Sequence, residues 1–214
     1  MTMIHEIDQK CSVCGHTSPQ PMLASTNTMG YPDLDLRPAE MQRSTMNTWI
    51  LECPHCGYAA HNLGDMLESP KDLLKSESYT TCDGYDFKGR LSPRFYRRHL
   101  IAKESNNIEE CFYNLLYCAW TCDDNEDENA AEIRKQAIPY IEEIIPHGNA
   151  NNLIAIKADL LRRTGQYEQL IEEYSNIYTD DATINKVLKF QIQKAQEQDS
   201  ACYTVEDVVG NRRF

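Results

Sequence analysis

Two short stretches of this chain carry residues whose type and spacing could do chemistry: Cys11-Ser12-Val13-Cys14-Gly15 and Cys53-Pro54-His55-Cys56-Gly57. Each places two thiols at a C-x-x-C spacing with a glycine directly behind. Thiolates are soft donors that suit zinc and iron. The spacing lets one tight turn aim both sulfurs at the same point, and the glycine supplies the positive φ that such a turn needs. Four sulfurs of this kind hold a metal tetrahedrally at about 2.3 Å each and close its coordination sphere. A closed sphere leaves no position for a substrate or an activated water. Cys11, Cys14, Cys53 and Cys56 are therefore expected as ligands of a structural ion, Zn2+ first and iron as the alternative.

Other uses of the same residues fit less well. A redox-active C-x-x-C usually stands alone at a helix N-terminus, whereas this chain has two copies, each followed by glycine. A zinc deaminase needs an H-x-E element before P-C-x-x-C, and the chain has neither. A rubredoxin-like iron centre remains the rival, because C-x-x-C-G and C-P-x-C-G suit tetrahedral iron equally. His16, His55 and His61 could replace a cysteine, but four thiols already suffice, so surface or supporting roles are expected for them.

Two C-x-x-C-G units are what a zinc ribbon uses, and the elements around them must bring the units together. Ile4 and Ile7 suggest a weak strand leading into the first. A 38-residue insert separates Cys14 from Cys53. Pro21, Pro32 and Pro38, with Asp33 and Asp35, predict that its 15–47 part is mostly an extended loop. The run Asn47-Thr48-Trp49-Ile50-Leu51-Glu52 predicts a strand leading into the second unit. Residues 1–69 hold Lys10, Arg37 and Arg43 against eight acids. A four-thiolate zinc centre makes that balance more negative still. Phosphate neutralisation needs the opposite sign, so a nucleic-acid-binding ribbon is kept only as an alternative.

The whole chain narrows the classes further. Its 214 residues can bury a sizeable core, and a net charge of −12 disfavours nucleic acid and anionic membrane surfaces. MTMIHEIDQK lacks the pattern of a signal peptide, and no apolar run approaches the roughly 20 residues that span a bilayer. A cytoplasmic protein is expected, whose nine cysteines stay reduced. The five cysteines outside the two pairs read as core; Cys111, Cys118 and Cys122 share one side of a helix. The run DDNEDEN hints at a calcium loop, but Glu128 stands where glycine is needed and Arg134 where glutamate is needed.

From about residue 91 the pattern turns helical. Ser92-Pro93 reads as an N-cap with proline at the first helical position. Ile108, Cys111, Phe112, Leu115, Ala119 and Cys122 follow helical spacing, as do Tyr167, Leu170, Ile171, Tyr174, Ile177 and Tyr178. Ile184, Val187, Leu188, Ile192 and Ala195 mark a further helix. Gly165 punctuates two amphipathic helices, with Ala158 before it and Leu170 and Tyr174 after it, which resembles a tetratricopeptide (TPR) unit. Leu170 departs from that pattern, which favours a small residue there. CFYNLLYCAWTC and NAAEIRKQAIPYIEEII form a looser second unit, in which Pro139 is expected to kink or break the second helix. An irregular helical bundle is the plainer reading of the same helices. RLSPRFYRRHL concentrates Arg94, Arg97 and Arg98 in one helix. They either pair with acids of the chain itself or form a docking face for an acidic protein partner.

The knuckle CSVCG, the loop GYPDLDLRP, the knuckle CPHCGYAA and a TPR-like half together resemble a bacterial family of unknown function that joins a zinc ribbon to TPR-like helices. The resemblance is densest over 11–60 and looser over 90–180. It implies a fold and a scaffolding role and supplies no activity. The expected architecture is mainly α: a zinc ribbon with a long inserted loop at 1–69, a linker with a short helix at 70–90, and a TPR-like helical region at 91–214. The expected function is non-enzymatic. Zinc fixes the ribbon, and a protein or peptide docks on the TPR-like surface or on Arg94, Arg97 and Arg98. Nucleic acid and membrane are not expected as partners. The chain offers no nucleophile–base pair, phosphate loop or open metal site, and an enzyme with its active site in the 15–47 loop stands as a further alternative.

Overall fold

A computed structural model describes residues 2–148 and 150–210. The N-terminal part is two small antiparallel hairpins. In the first, β1 (Met3–Lys10) pairs with β2 (Thr17–Ser25), with Lys10 opposite Thr17 and Ile7 opposite Gln20. In the second, β3 (Leu51–Glu52) pairs with β4 (Ala59–Ala60). Each C-x-x-C-G unit is the turn of one hairpin.

The 15–47 insert is irregular over residues 26–42, as expected, but both of its ends are regular. Its first part is β2, which tolerates two prolines for a geometric reason. Pro19 and Pro21 lie opposite Asp8 and Glu6, two residues apart, so both missing N–H groups fall on the open edge of a two-stranded sheet. The expected strand over Asn47–Glu52 is also shorter than its composition suggests. Residues Arg43–Thr48 form a 3-10 helix, and only Leu51–Glu52 are extended. Hydroxyl groups decide this locally. Thr45 Oγ1 donates to the Gln42 carbonyl at 2.7 Å, and Thr48 Oγ1 donates to the Thr45 carbonyl at 2.8 Å. The Trp49 indole N–H returns to Thr45 Oγ1 at 3.0 Å. Such side-chain bonds to the nearby backbone outweigh the β propensity of threonine and tryptophan.

The helical part follows in order: α1 (Glu77–Thr81), α2 (Ser92–Glu104), α3 (Ile108–Asp124), α4 (Ala130–Ile144), α5 (Ala150–Arg163), α6 (Tyr167–Tyr174), α7 (Ala182–Gln196) and α8 (Val205–Val209). From α2 to α7 each helix packs on the next, and α5 also packs on α7. The fold is mainly α, with a small N-terminal β element. The last four residues of the expected helical region, 211–214, lie outside the described residues.

Three boundaries differ from the sequence reading. Ser92 is the first residue of α2 rather than its cap; its hydroxyl is buried and accepts from Thr121 Oγ1 at 2.9 Å. Pro139 does not break α4, which continues to Ile144. Pro139 and Lys135 both lie on the exposed side of the helix, so water can reach the Lys135 carbonyl that proline leaves unpaired. The periodic pattern that runs through Tyr178 stops being helix at Tyr174, and Tyr178 is 90% exposed. Ser175 ends α6, and its hydroxyl donates to the Ile171 carbonyl.

The apolar face of each helix meets one continuous core that runs from Cys11 and Tyr58 through Phe95, Phe112 and Leu160 to Ala195. Cys111, Cys118 and Cys122 are buried in it. No helix among the described residues is long and apolar enough to cross a membrane. Three of the five DDNEDEN acids serve the fold: Asp123 takes both Arg134 and Arg163, Asp124 takes Arg37, and Asp127 accepts from the Lys88 and Asn129 amides.

Two predictions come from this packing. Gly165 has φ +76° and closes α5 with paired bonds, Gln166 N–H to the Leu161 carbonyl and Gly165 N–H to the Arg162 carbonyl. A Cβ added there would meet nothing within 4 Å, so any penalty comes from the backbone. Gly165→Val is expected to lower unfolding free energy by about 1–2 kcal/mol, and Gly165→Asn by less. Urea unfolding of the two variants checks this. His99 is buried against Tyr96 and Tyr140, and burial lowers it from 6.5 to about 4, so the fold holds it neutral. The unfolded chain binds this proton more readily, so the stability His99 protects is present above about pH 6.5 and is lost as pH falls toward 4. Relative to His99→Gln, the native protein should lose at most about 1.4 kcal/mol per pH unit across that window. Unfolding curves measured from pH 7 to pH 4 read this difference directly.

Candidate metal centre

The two hairpin turns are built alike. Cys11 N–H donates to the His16 carbonyl at 2.8 Å, and Gly15 N–H donates to the Cys11 carbonyl at 2.8 Å. In the second turn, Cys53 N–H donates to the Tyr58 carbonyl and Gly57 N–H to the Cys53 carbonyl, both at 2.9 Å. Gly15 and Gly57 have φ +74° and +72°, the left-handed backbone that glycine adopts without strain. These turns aim backbone N–H groups at sulfur. The Val13 and Cys14 amides face the Cys11 thiol, the His16 amide faces Cys14, and the Tyr58 amide faces Cys56.

The turns meet so that all four sulfurs lie within 4.8 Å of one another. The Cys11–Cys56 sulfurs are 3.7 Å apart and the Cys14–Cys53 sulfurs 3.6 Å apart. A metal held at about 2.3 Å by four sulfurs sets neighbouring sulfurs about 3.8 Å apart, which these two separations match. A disulfide would need about 2.05 Å, and these thiols are free. Cys11 and Cys53 are buried, whereas Cys14 is exposed. The His16 amide is the main cause that draws Cys14 down to about 6, while burial pushes Cys56 up. A cation that converts all four to thiolates displaces protons, so metal affinity at this group must fall with acid. Cys11, Cys14, Cys53 and Cys56 thus form a cluster able to hold a metal ion.

The histidines lie outside this group. His16 and His55 are exposed and stack on each other, with ring centroids 5.4 Å apart. His61 faces away, its Nδ1 2.6 Å from the Trp49 carbonyl.

Sequence reasoning missed the residues that fasten the cluster to the helices. Tyr79, on α1, is 1% exposed. Its hydroxyl donates to the Gly57 carbonyl at 2.8 Å and accepts from the Ala59 amide at 3.1 Å, so one side chain bridges both ends of the second turn. No spacing in SESYTT points to that role. Glu52, directly before Cys53, meets Arg97 at 2.5 Å and Arg94 at 3.3 Å. Arg98 pairs with Glu110 and, at 3.5 Å, with Glu68. The three arginines of the basic helix are thus engaged with acids of this chain.

The GYPDLDLRP loop is the second fastening. Asp33, Asp35 and Arg37 are all buried. Asp35 accepts from the Trp120 indole at 2.7 Å and from the Arg37 amide at 3.2 Å. Arg37 donates to the Trp120 carbonyl at 3.2 Å and to Asp124 at 2.5 Å. Burial, with Asp159 nearby, pushes Asp35 up to about 6, against the pull of Arg134 and Arg163.

Comparison with protein-family models, curated proteins and solved structures returns no match, so the site is read from its own geometry.

The Tyr79 bridge yields a test. Tyr79→Phe leaves the Gly57 carbonyl and the Ala59 amide without their partner, at an expected cost of about 1–3 kcal/mol in unfolding free energy. The same variant should lose metal to a chelator faster than the native chain, measured with a colorimetric zinc indicator. Unchanged stability together with unchanged release would show that Tyr79 does not hold the second turn.

Proposed function

We propose that this chain is a zinc-stabilised binding protein whose work is interaction rather than catalysis. The observation that carries the reading is the cluster of four sulfurs, all within 4.8 Å of one another. A bound Zn2+ would satisfy its coordination entirely with Cys11, Cys14, Cys53 and Cys56, and would contribute folding free energy. Its chemistry there is to neutralise and crosslink four thiolates, which fixes both hairpins against each other. The chain's own residues then hold this platform to the helices through Tyr79, Glu52 and the buried loop.

The TPR-like reading of the helical part draws support from two features. A glycine-closed turn joins α5 to α6, and α5 packs on α7, as successive units of a repeat array would. A protein or peptide partner on this surface is the interaction we assign. Arg94, Arg97 and Arg98 serve it poorly as a docking face for acids, because Glu52, Glu68 and Glu110 already pair with them. The same pairing, with the net charge of −12, argues against a nucleic-acid role.

A rubredoxin-like electron carrier is the second reading. The same sulfur spacing suits iron, and the exposed Cys14 would bring such a centre close to the surface. Metal analysis of aerobically purified protein separates the two. Colourless protein with about one zinc per chain is the expected result; red protein with stoichiometric iron would instead make the chain an electron carrier. Crosslinking and pull-down from the native cell, comparing the native chain with Cys53→Ser, then tests the binding role. The expected result is a partner that depends on the intact metal centre.

A further inference from the structure

Away from the metal centre, two cavities open to solvent share a wall along α3. One, of about 460 Å3, lies between α3, the inserted loop and the start of α5, and Asp35, Trp49, Tyr113, Tyr117 and Trp120 are among its walls. The other, of about 380 Å3, shares Glu109, Tyr113 and Tyr117 and reaches Asn114 and His61. Glu109, Tyr113 and Tyr117 are four residues apart on one helical face, so the cavities form a single groove floored by α3.

Two acceptors in this groove lack a partner among the described residues. Asn114 is 1% exposed, and its amide donates to the Glu110 carbonyl at 2.9 Å. Its Oδ1 is buried with no partner, a costly state for an acceptor that a ligand's donor would relieve. Glu109 is exposed and makes no ion pair among the described residues. Among the described residues no lysine, arginine or histidine lines the larger cavity, and His61 is the basic side chain lining the smaller. Aromatic faces beside a carboxylate attract cations, and Trp120 already carries one, with the Arg37 guanidinium carbon 5.9 Å from its ring centroid.

We infer that this groove binds a peptide through a lysine or arginine side chain, with the cationic head between Glu109 and Asn114 Oδ1 and the stem across Tyr113 and Tyr117. The inference deepens the binding-protein reading and rests on it. Charge complementarity selects a basic occupant: with Glu110 held by Arg98 and Asp35 buried on the Trp120 indole, Glu109 is the groove carboxylate without a cation among the described residues, and the net charge of −12 steers basic partners toward it. Two joined, open cavities leave room for the chain on either side of the basic residue, which a free amine would not use.

The chain reports on its own groove, because its two tryptophans, Trp49 and Trp120, both line the larger cavity. The test titrates metal-loaded full-length protein, by tryptophan fluorescence, with acetylated and amidated glycine–serine pentapeptides carrying a central arginine or lysine. The same peptides with norleucine or glutamate at the centre are controls, and cadaverine stands for the free amine. The expected result is a saturable change with arginine or lysine and roughly tenfold weaker binding for norleucine, the cost of losing one charged contact. Glu109→Gln, an exposed change that leaves the fold intact by circular dichroism, should weaken the arginine peptide by a similar factor. Asn114→Leu should also weaken it. No saturable change, equal binding of the norleucine or glutamate peptide, or tighter binding of cadaverine would overturn the inference. Separately, an unchanged partner yield in the pull-down with Glu109→Gln would overturn the groove assignment while leaving the binding role standing.

Discussion

The structure depends on burying the charges of one loop. Asp35 and Arg37 lie inside the protein, where an unpaired charge costs several kcal/mol, so the loop can sit only where partners await it. Those partners come from the helices: the Trp120 indole and carbonyl, Asp124, and Arg163 with its Nη1 3.7 Å from Asp35. The arginine side is equally committed, since Asp123 receives both Arg134 and Arg163. This network fixes the inserted loop on α3 and α5, and with it the chain that leads to the second knuckle.

The C-terminal segment closes the same network from the other side. Arg162 is fully buried; it donates to Asp159 at 2.7 Å and to the carbonyls of Asp199 and Ala201 at 2.9 and 2.7 Å. The returning chain then bonds the loop, with Leu34 N–H to the Tyr203 carbonyl and Val205 N–H to the Pro32 carbonyl, both at 2.9 Å. The N-terminal hairpins, the helices and the last described segment are thus held in a closed circuit rather than in series. A metal bound by the four cysteines would add stability to a ribbon already anchored by Tyr79 and Glu52. The Arg94 and Arg97 pairs with Glu52 keep 21–31% of their side-chain surface exposed, so water still screens them and each contributes about 1 kcal/mol or less.

The groove along α3 follows from the same constraint. The loop approaches α3 closely at Trp120, where Asp35 needs the indole, and Trp49 meets Tyr117 edge-on with ring centroids 5.4 Å apart. Between those contacts and the start of α5 the helix face is left partly uncovered, with Glu109 exposed and Tyr113 and Tyr117 half-buried. The buried charge network beside this surface keeps its walls in place.

The local chemistry was legible in the sequence. Two C-x-x-C-G units needed only their own turn geometry to aim sulfurs together, and both formed as their residues require. The periodic stretches from Ile108 and from Ile184 became α3 and α7 because amphipathic spacing is a property of the segment itself. Gly165 marked its turn for the same reason. Where competing local forces were close, the sequence misled: threonine hydroxyls turned Arg43–Thr48 into a 3-10 helix, and an open sheet edge let Pro19 and Pro21 into a strand. The remainder was decided only in three dimensions. That Arg97 would meet Glu52, that Tyr79 would bridge Gly57 and Ala59, and that Asp35 would find Trp120 across 85 residues of chain are facts of packing. No spacing rule connects residues so far apart, because their partnership is set by which surfaces the folded elements press together.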